Sequence, residues 1–142
     1  MAVTEKQLIE ADFHDRWAKE INLDSLLVKE SFEACTAVEN KFALEQISPL
    51  KGKRLLDLGC GAGEASVYFA LQGAQVTAVD ISPQMISVAR QLSKKYGVSL
   101  EGFSGPAEKL PFPDGTFDIV FGNGVLHHVE LLPALQEIRR VL

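Results

Sequence analysis

The sequence predicts an α/β fold built on a parallel, doubly wound sheet and preceded by a helical segment. Three observations predict it. From Lys53 onward, short apolar runs alternate with stretches of helical period. A glycine-rich turn comes directly after the first of these runs, and an acidic residue closes the second. From Thr4 to about Ile47 the period is helical instead. Strands that alternate with helices imply parallel pairing, with right-handed crossovers that lay helices over both faces of the sheet.

Composition narrows the class. A chain of 142 residues falls in the range of one domain with a continuous core. Nineteen acidic residues against 14 Lys plus Arg leave a net charge of −5, which argues against a broad nucleic-acid or anionic-membrane surface. Two cysteines, Cys35 and Cys60, do not make a disulfide framework, so a reducing cytoplasm is the expected setting. No apolar run approaches the roughly 18 residues of a membrane span. The opening MAVTEKQLIEAD lacks the basic-then-apolar order of a secretory signal.

The expected division is a helical cap segment over 1–50 and a sheet domain over 51–142. The first helix carries Phe13, Trp17 and Ile21 at a spacing of four, and burial of large apolar side chains makes Phe13 and Trp17 core contacts in the plainest reading. A second helix is expected from a cap at Asp24 or Ser25 to Ile47. Val28, Phe32, Cys35, Val38 and Phe42 would line one face of it, and Ser48-Pro49 would end it. Arg54–Leu58 reads as a buried strand, with the glycine turn and a helix to about Gln72 after it. Gln75–Asp80 is the second strand. Ser82–Tyr96 is a helix with Ser82 as its cap and Pro83 at its first position. Val98–Phe103 and Phe117–Phe121 are the third and fourth strands, and Leu132–Leu142 starts a further helix.

The stretch Leu55-Leu-Asp-Leu-Gly-Cys-Gly-Ala-Gly-Glu64 is the most informative. A strand runs into Gly59, Gly61 and Gly63, where a sharp turn visits positive φ and a ligand touches bare backbone. Such a turn occurs in several nucleotide-binding folds, so spacing must discriminate. The dinucleotide fingerprint places a third glycine where this chain has Glu64, and a carboxylate at that helix N-terminus repels a pyrophosphate. No Lys-Ser or Lys-Thr pair comes after the glycines, so the P-loop fails as well. Asp80 ends the second strand roughly 20 residues after the turn, where an acid can accept both hydroxyls of a ribose. Its plainer role would be to cap the next helix, but Ser82 already serves for that. Turn and acid together describe a site for an adenosine that carries no phosphate.

Those residues resemble a known family. Leu-Asp-Leu-Gly-Cys-Gly-Ala-Gly at 56–63 is similar to the first motif of class I S-adenosylmethionine-dependent methyltransferases. Val79-Asp80-Ile81-Ser82 with Met85 beyond it resembles the second motif. Ala107-Glu-Lys-Leu-Pro-Phe-Pro-Asp-Gly-Thr-Phe-Asp118 resembles the segment between the third and fourth strands. Val125-Leu-His-His-Val129 resembles the segment after the fourth strand in the small-molecule branch. The resemblance covers about 51–142 and implies a Rossmann-like sheet in the order 3-2-1-4, with S-adenosylmethionine as cofactor and a small-molecule methyl acceptor as partner.

The resemblance also implies site roles at the matched positions. Backbone at Gly59 and Gly61 would approach the methionine moiety, with Asp57 orienting the turn and Asp80 binding the ribose. Ile81 and Met85 would lie near the adenine, although Met85 has an equal claim to core packing. The N–H of Ala107 would meet the adenine edge, and Asn123 would sit beside the sulfonium. Phe13 or Trp17 would cover the cofactor. Pro106 stands where the family commonly has an aspartate for the adenine amine, which leaves Glu108 or water to replace it. Cys60, inside the turn, reads as a small residue for a tight corner. His127 and His128 are substrate-facing candidates, either as a base or as structural hydrogen-bonding groups. No metal site is expected, because adjacent histidines lack a third ligand at suitable spacing.

Further C-terminal strands after Leu142 are implied by the same resemblance, so the fold is expected to be incomplete and the edge of the fourth strand open to self-association. The implied reaction is direct displacement at the sulfonium methyl, which needs alignment and desolvation more than a strong protein nucleophile. A cofactor-binding module without catalysis is the alternative from another class.

Overall fold

The computed structural model describes residues 3–142. Helices α1 (Glu5–Glu20), α2 (Glu30–Glu33) and α3 (Val38–Ile47) precede strand β1 (Arg54–Leu58). Helix α4 (Glu64–Leu71), strand β2 (Gln75–Asp80) and helix α5 (Pro83–Lys95) come next. Strands β3 (Glu101–Ser104) and β4 (Ile119–Phe121) and helix α6 (Leu131–Val141) complete the chain. The strands form one parallel sheet in the order β3-β2-β1-β4. The fold is therefore α/β and Rossmann-like, as the sequence predicts, and β1 and β2 have the predicted bounds. The third and fourth strands are shorter than expected, because only Glu101–Ser104 and Ile119–Phe121 find ladder partners.

The strand interiors are apolar on both faces, as a parallel sheet covered on both sides requires. Leu55 packs with Val67, Phe69 and Leu92 on one side, while Leu56, Leu58 and Val79 pack with Phe117, Ala134 and Val141 on the other. Ser82 caps α5 by accepting from the Met85 N–H at 3.0 Å, with Pro83 in the first turn. The long connection between β3 and β4 is clipped to α6 by Arg140, which donates to the carbonyls of Phe112 (2.7 Å) and Leu110 (3.1 Å) and pairs with Glu137. Glu137 in turn accepts from the Leu110 N–H at 2.7 Å. The connection is thereby held against α6.

Two expectations fail in the N-terminal segment. The single helix from Asp24 or Ser25 to Ile47 is three pieces: a 3-10 turn at Leu23–Ser25, the one-turn α2, and α3. Asn22, not Asp24 or Ser25, supplies the cap, accepting from the Asp24 N–H at 2.9 Å. Ala34 is extended, and Asn40 donates to the Ser31 carbonyl at 2.7 Å, which satisfies an acceptor released by the break. Val28 and Phe32 are buried, with Phe32 stacked on Tyr68 at 4.4 Å, but Val38 and Phe42 are 68% and 63% exposed and Cys35 is exposed. Helical spacing had joined residues that belong to different elements. The core reading of Phe13 and Trp17 fails too, since they are 55% and 53% exposed. Helix α1 instead turns Gln7 and Ala18 inward.

Helix α1 is fixed over the carboxyl end of the sheet by polar contacts. A capping box between Thr4 and Gln7 sets its start. Asp15 accepts from the Ser82 hydroxyl and from the Gln84 N–H (3.2 Å) at the head of α5. Ala18 packs on Met85 and Val88.

Candidate cofactor and acceptor site

Strand order reverses between β1 and β4, and open α/β sheets bind ligands in the crevice beyond that switch point. A cavity of about 330 Å³ lies there. The glycine turn, the end of β2, the loop after β3, the loop after β4 and α1 all contribute to its wall.

The turn is built from three left-handed glycines with different reasons to be glycine. Gly59 (φ 73°) runs under the loop after β4, where an added Cβ would lie 2.6 Å from Val125. Gly63 (φ 88°) heads α4, and its Cβ would lie 2.6 Å from that of Ala89 on α5. Gly61 (φ 53°) lines the cavity with open space where its Cβ would be. Strand β2 anchors the turn, since the Val79 carbonyl accepts from the N–H groups of Gly59 (2.8 Å) and Cys60 (3.0 Å).

Asp80 is buried at the end of β2 and faces the cavity. One carboxylate oxygen accepts from the Gly61 N–H at 2.9 Å and the other from the Ser82 N–H at 3.0 Å. Each oxygen keeps a further lone-pair direction for a ligand donor. Behind the turn, Asp57 is buried and accepts from the Ser66 hydroxyl at 2.6 Å. Burial pushes its carboxyl up to about 6; the Ser66 hydrogen bond opposes the rise and the nearby Asp80 charge adds to it.

The other sequence candidates divide. Trp17, Ile81, Ala107, Glu108, Asn123 and His128 line the same cavity as Gly59, Gly61 and Asp80. Asp57 and Cys60 line a smaller polar cavity on the far side of the turn, together with Glu64 and Asn40, and Asn123 reaches both cavities. Burial raises the Cys60 thiol well above its usual range, helped by Asp57 and Asp80, which keeps it protonated and unreactive. Met85 lies in the core under α1 and outside the cavity. Phe13 is outside it as well and stands edge-on to His14 at 5.3 Å. The histidine pair splits: His128 lines the cavity and His127 is exposed away from it.

Glu108 is already engaged. One oxygen accepts from Gln7 Nε2 at 3.1 Å and the other from the Glu130 N–H at 2.8 Å, so it joins α1 to the head of α6. Gln7, Glu10 and His14 also line the cavity, and the motifs of the sequence did not single them out. Their signal was the period itself. Positions 7, 10, 14 and 17 share one face of α1, so its inward face is polar while Leu8, Ile9 and Phe13 face outward.

Similarity to known proteins decides the family. A family model described as "Methyltransferase domain" matches residues 56–142. The chain belongs to the methyltransferase domain family. The ubiquinone biosynthesis O-methyltransferase of Methylocella silvestris is 44% identical over 81 residues, 57% of this chain and 32% of that protein. The demethylmenaquinone methyltransferase of Chlorobaculum parvum is 37% identical over 107 residues, covering 74% of this chain and 43% of the relative. Among solved structures, an S-adenosylmethionine-dependent methyltransferase from Aquifex aeolicus superposes with a TM-score of 0.71 at 27% identity, covering 89% of this chain and 66% of that one. The [4+2]-cyclase SpnF superposes over 100% of this chain and 58% of its own, with a TM-score of 0.80 and 25% identity. This methyltransferase domain thus spans less than half the length of the curated relatives named here.

Proposed function

We propose that the chain binds S-adenosylmethionine and belongs to an enzyme that transfers the methyl group directly to a small molecule. The observation that carries this reading is the pairing of Asp80 with the bare backbone of Gly61 at one rim of the switch-point cavity. A buried carboxylate with lone pairs to spare suits a ribose diol, and the open space at Gly61 suits close backbone approach. Glu64 opens α4 where a phosphate-binding fold keeps that helix end clear of negative charge, which favours an adenosine without phosphate. The relatives that act on quinone precursors by name support a small-molecule acceptor.

The spare lone pairs of Asp80 and the open space at Gly61 suit the cofactor. Asp80 would hold the ribose, Ile81 and Ala107 would flank the adenine, and Gly59, Gly61 and Asn123 would track the methionine arm. Asp57 holds the turn through Ser66. Trp17 and the rest of the inward face of α1 would exclude water. When bound, the cofactor supplies an activated methyl on a sulfonium, so the protein's own task is alignment.

Among the described residues no helix is long and apolar enough to cross a membrane. We place the protein in the cytoplasm without a nucleic-acid partner, on its cysteine usage and its net charge of −5. Strand β4 is an edge of the sheet, and pairing through that edge would make this chain self-associate, which sedimentation at rising concentration measures.

A thermal-shift series with S-adenosylmethionine, S-adenosylhomocysteine and nicotinamide dinucleotide tests the cofactor assignment. The first two should raise the melting temperature and the dinucleotide should not. A rise with the dinucleotide alone would overturn it.

A further inference from the structure

Three ionisable side chains meet at the cavity wall, and two of them come from α1. Glu10 Oε2 lies 3.4 Å from His128 Nδ1 and 3.7 Å from His14 Nε2. The His14 and His128 rings stand edge to face at 6.2 Å, with the His127 ring 3.9 Å from that of His128. All three residues of the cluster line the cavity that holds Asp80 and Gly61. The His14 Nδ1 is buried and has no hydrogen-bond partner among the described residues. Nothing in the packing of α1 calls for this arrangement, since Asp15, Gln7 and Ala18 already dock the helix.

We propose that Glu10 is a positioning residue that fixes His128 as the proton acceptor for a hydroxyl-bearing methyl acceptor, a phenol or an enol. The inference rests on the methyltransferase reading above. A carboxylate facing Nδ1 favours the proton on that nitrogen, which leaves the lone pair on Nε2. A base oriented by a third group is the usual arrangement for activating a weak nucleophile. The balance is simple. The acceptor O–H proton passes to His128 Nε2, the oxygen bonds to the methyl carbon, and the methyl–sulfur bond breaks with its pair left on sulfur. The imidazolium formed is matched by the Glu10 carboxylate, so no further co-reactant is needed. An already ionised oxygen would have no use for this cluster.

Side-chain nitrogen spectra of the 15N-histidine-labelled chain test the proposal without any turnover. His128 should be found as the neutral Nδ1–H tautomer, and Glu10→Gln should shift its two nitrogen signals toward the opposite tautomer. An Nε2–H tautomer in the wild type, or signals that Glu10→Gln leaves in place, would overturn the role of Glu10. The acceptor class is read with 4-nitrophenol as probe, added with S-adenosylhomocysteine below the phenol's own pKa. Phenolate absorbance should rise with wild-type protein and be lost in His128→Ala. No rise, or an equal rise in the variant, would overturn the hydroxyl acceptor. Failure of S-adenosylhomocysteine to bind at all would count against the cofactor assignment instead, while the tautomer measurement would still decide the role of Glu10.

Discussion

Asp80 and Gly61 are joined by a hydrogen bond of 2.9 Å from the Gly61 N–H to the carboxylate, across 19 residues of sequence. One side chain therefore shapes the glycine turn and, in the proposed site, would offer a ribose its acceptor. Asp80→Ala should weaken S-adenosylhomocysteine binding by about 1.5–3 kcal/mol, the range for hydrogen bonds to a charged group. It should also lower stability, because the Gly61 and Ser82 N–H groups lose their partner. Asp80→Asn keeps one acceptor oxygen and should be milder on both counts. Calorimetry and urea unfolding on the same samples separate the two effects, and unchanged affinity in the alanine variant would remove Asp80 from the site.

Gly59 and Gly61 should respond differently to alanine. Both sit at positive φ, which costs a non-glycine residue about 1–3 kcal/mol. Gly59→Ala adds a collision with Val125 and should unfold the chain at a markedly lower urea concentration. Gly61→Ala meets no protein atom within 4 Å, so the domain should fold with only the backbone penalty while losing ligand affinity. Equal unfolding midpoints for the two variants would contradict this.

Asp57 gives the chain a pH signature. Its carboxyl rises from 3.8 to about 6 on folding, chiefly by burial, so the folded state holds the proton more tightly than the unfolded one. Stability should therefore be highest below about pH 4 and decline as pH rises through 6, as far as this group is concerned. The loss is on the order of 3 kcal/mol for a fully buried group with this shift. Asp57→Asn should flatten the decline while keeping an acceptor for Ser66. Urea midpoints measured across that range would show it, and an unchanged slope in the variant would assign the decline elsewhere.

The clasp at Glu108 should govern how firmly α1 is held. Glu108→Ala strips partners from Gln7 Nε2 and from the Glu130 N–H, and an unsatisfied buried group costs about 1–3 kcal/mol. Gln7→Ala breaks only the α1 half and should cost less. Hydrogen exchange should quicken throughout α1 in both variants, and at the head of α6 only in Glu108→Ala. Slow exchange in α1 of both would show that Asp15 and Ala18 suffice to hold it.

The sequence by itself determined the sheet and its glycine turn. Arg54–Leu58 and Gln75–Asp80 are short, largely apolar runs that each follow a glycine by two residues, so their strand character needs no distant partner to be read. Ser82 and Pro83 start α5 by local chemistry alone. Gly59, Gly61 and Asp80 were legible because a tight turn and a strand-end acid limit the residue types allowed. Only the tertiary structure decided the rest. Phe32 leaves the helical stripe that its spacing shares with Val38 and Phe42 because Tyr68 and Phe69 offer it a buried stack. Trp17 borders a cavity instead of filling a core, and the inward face of α1 carries Gln7, Glu10 and His14, with Gln7 and Glu10 reaching partners roughly a hundred residues away. Met85 packs under α1 in the core, Phe13 falls outside the cavity and His128 lines it. Periodicity reports which residues share a face, but which face meets the ligand is fixed by contacts between distant segments, and these leave no local trace in the chain.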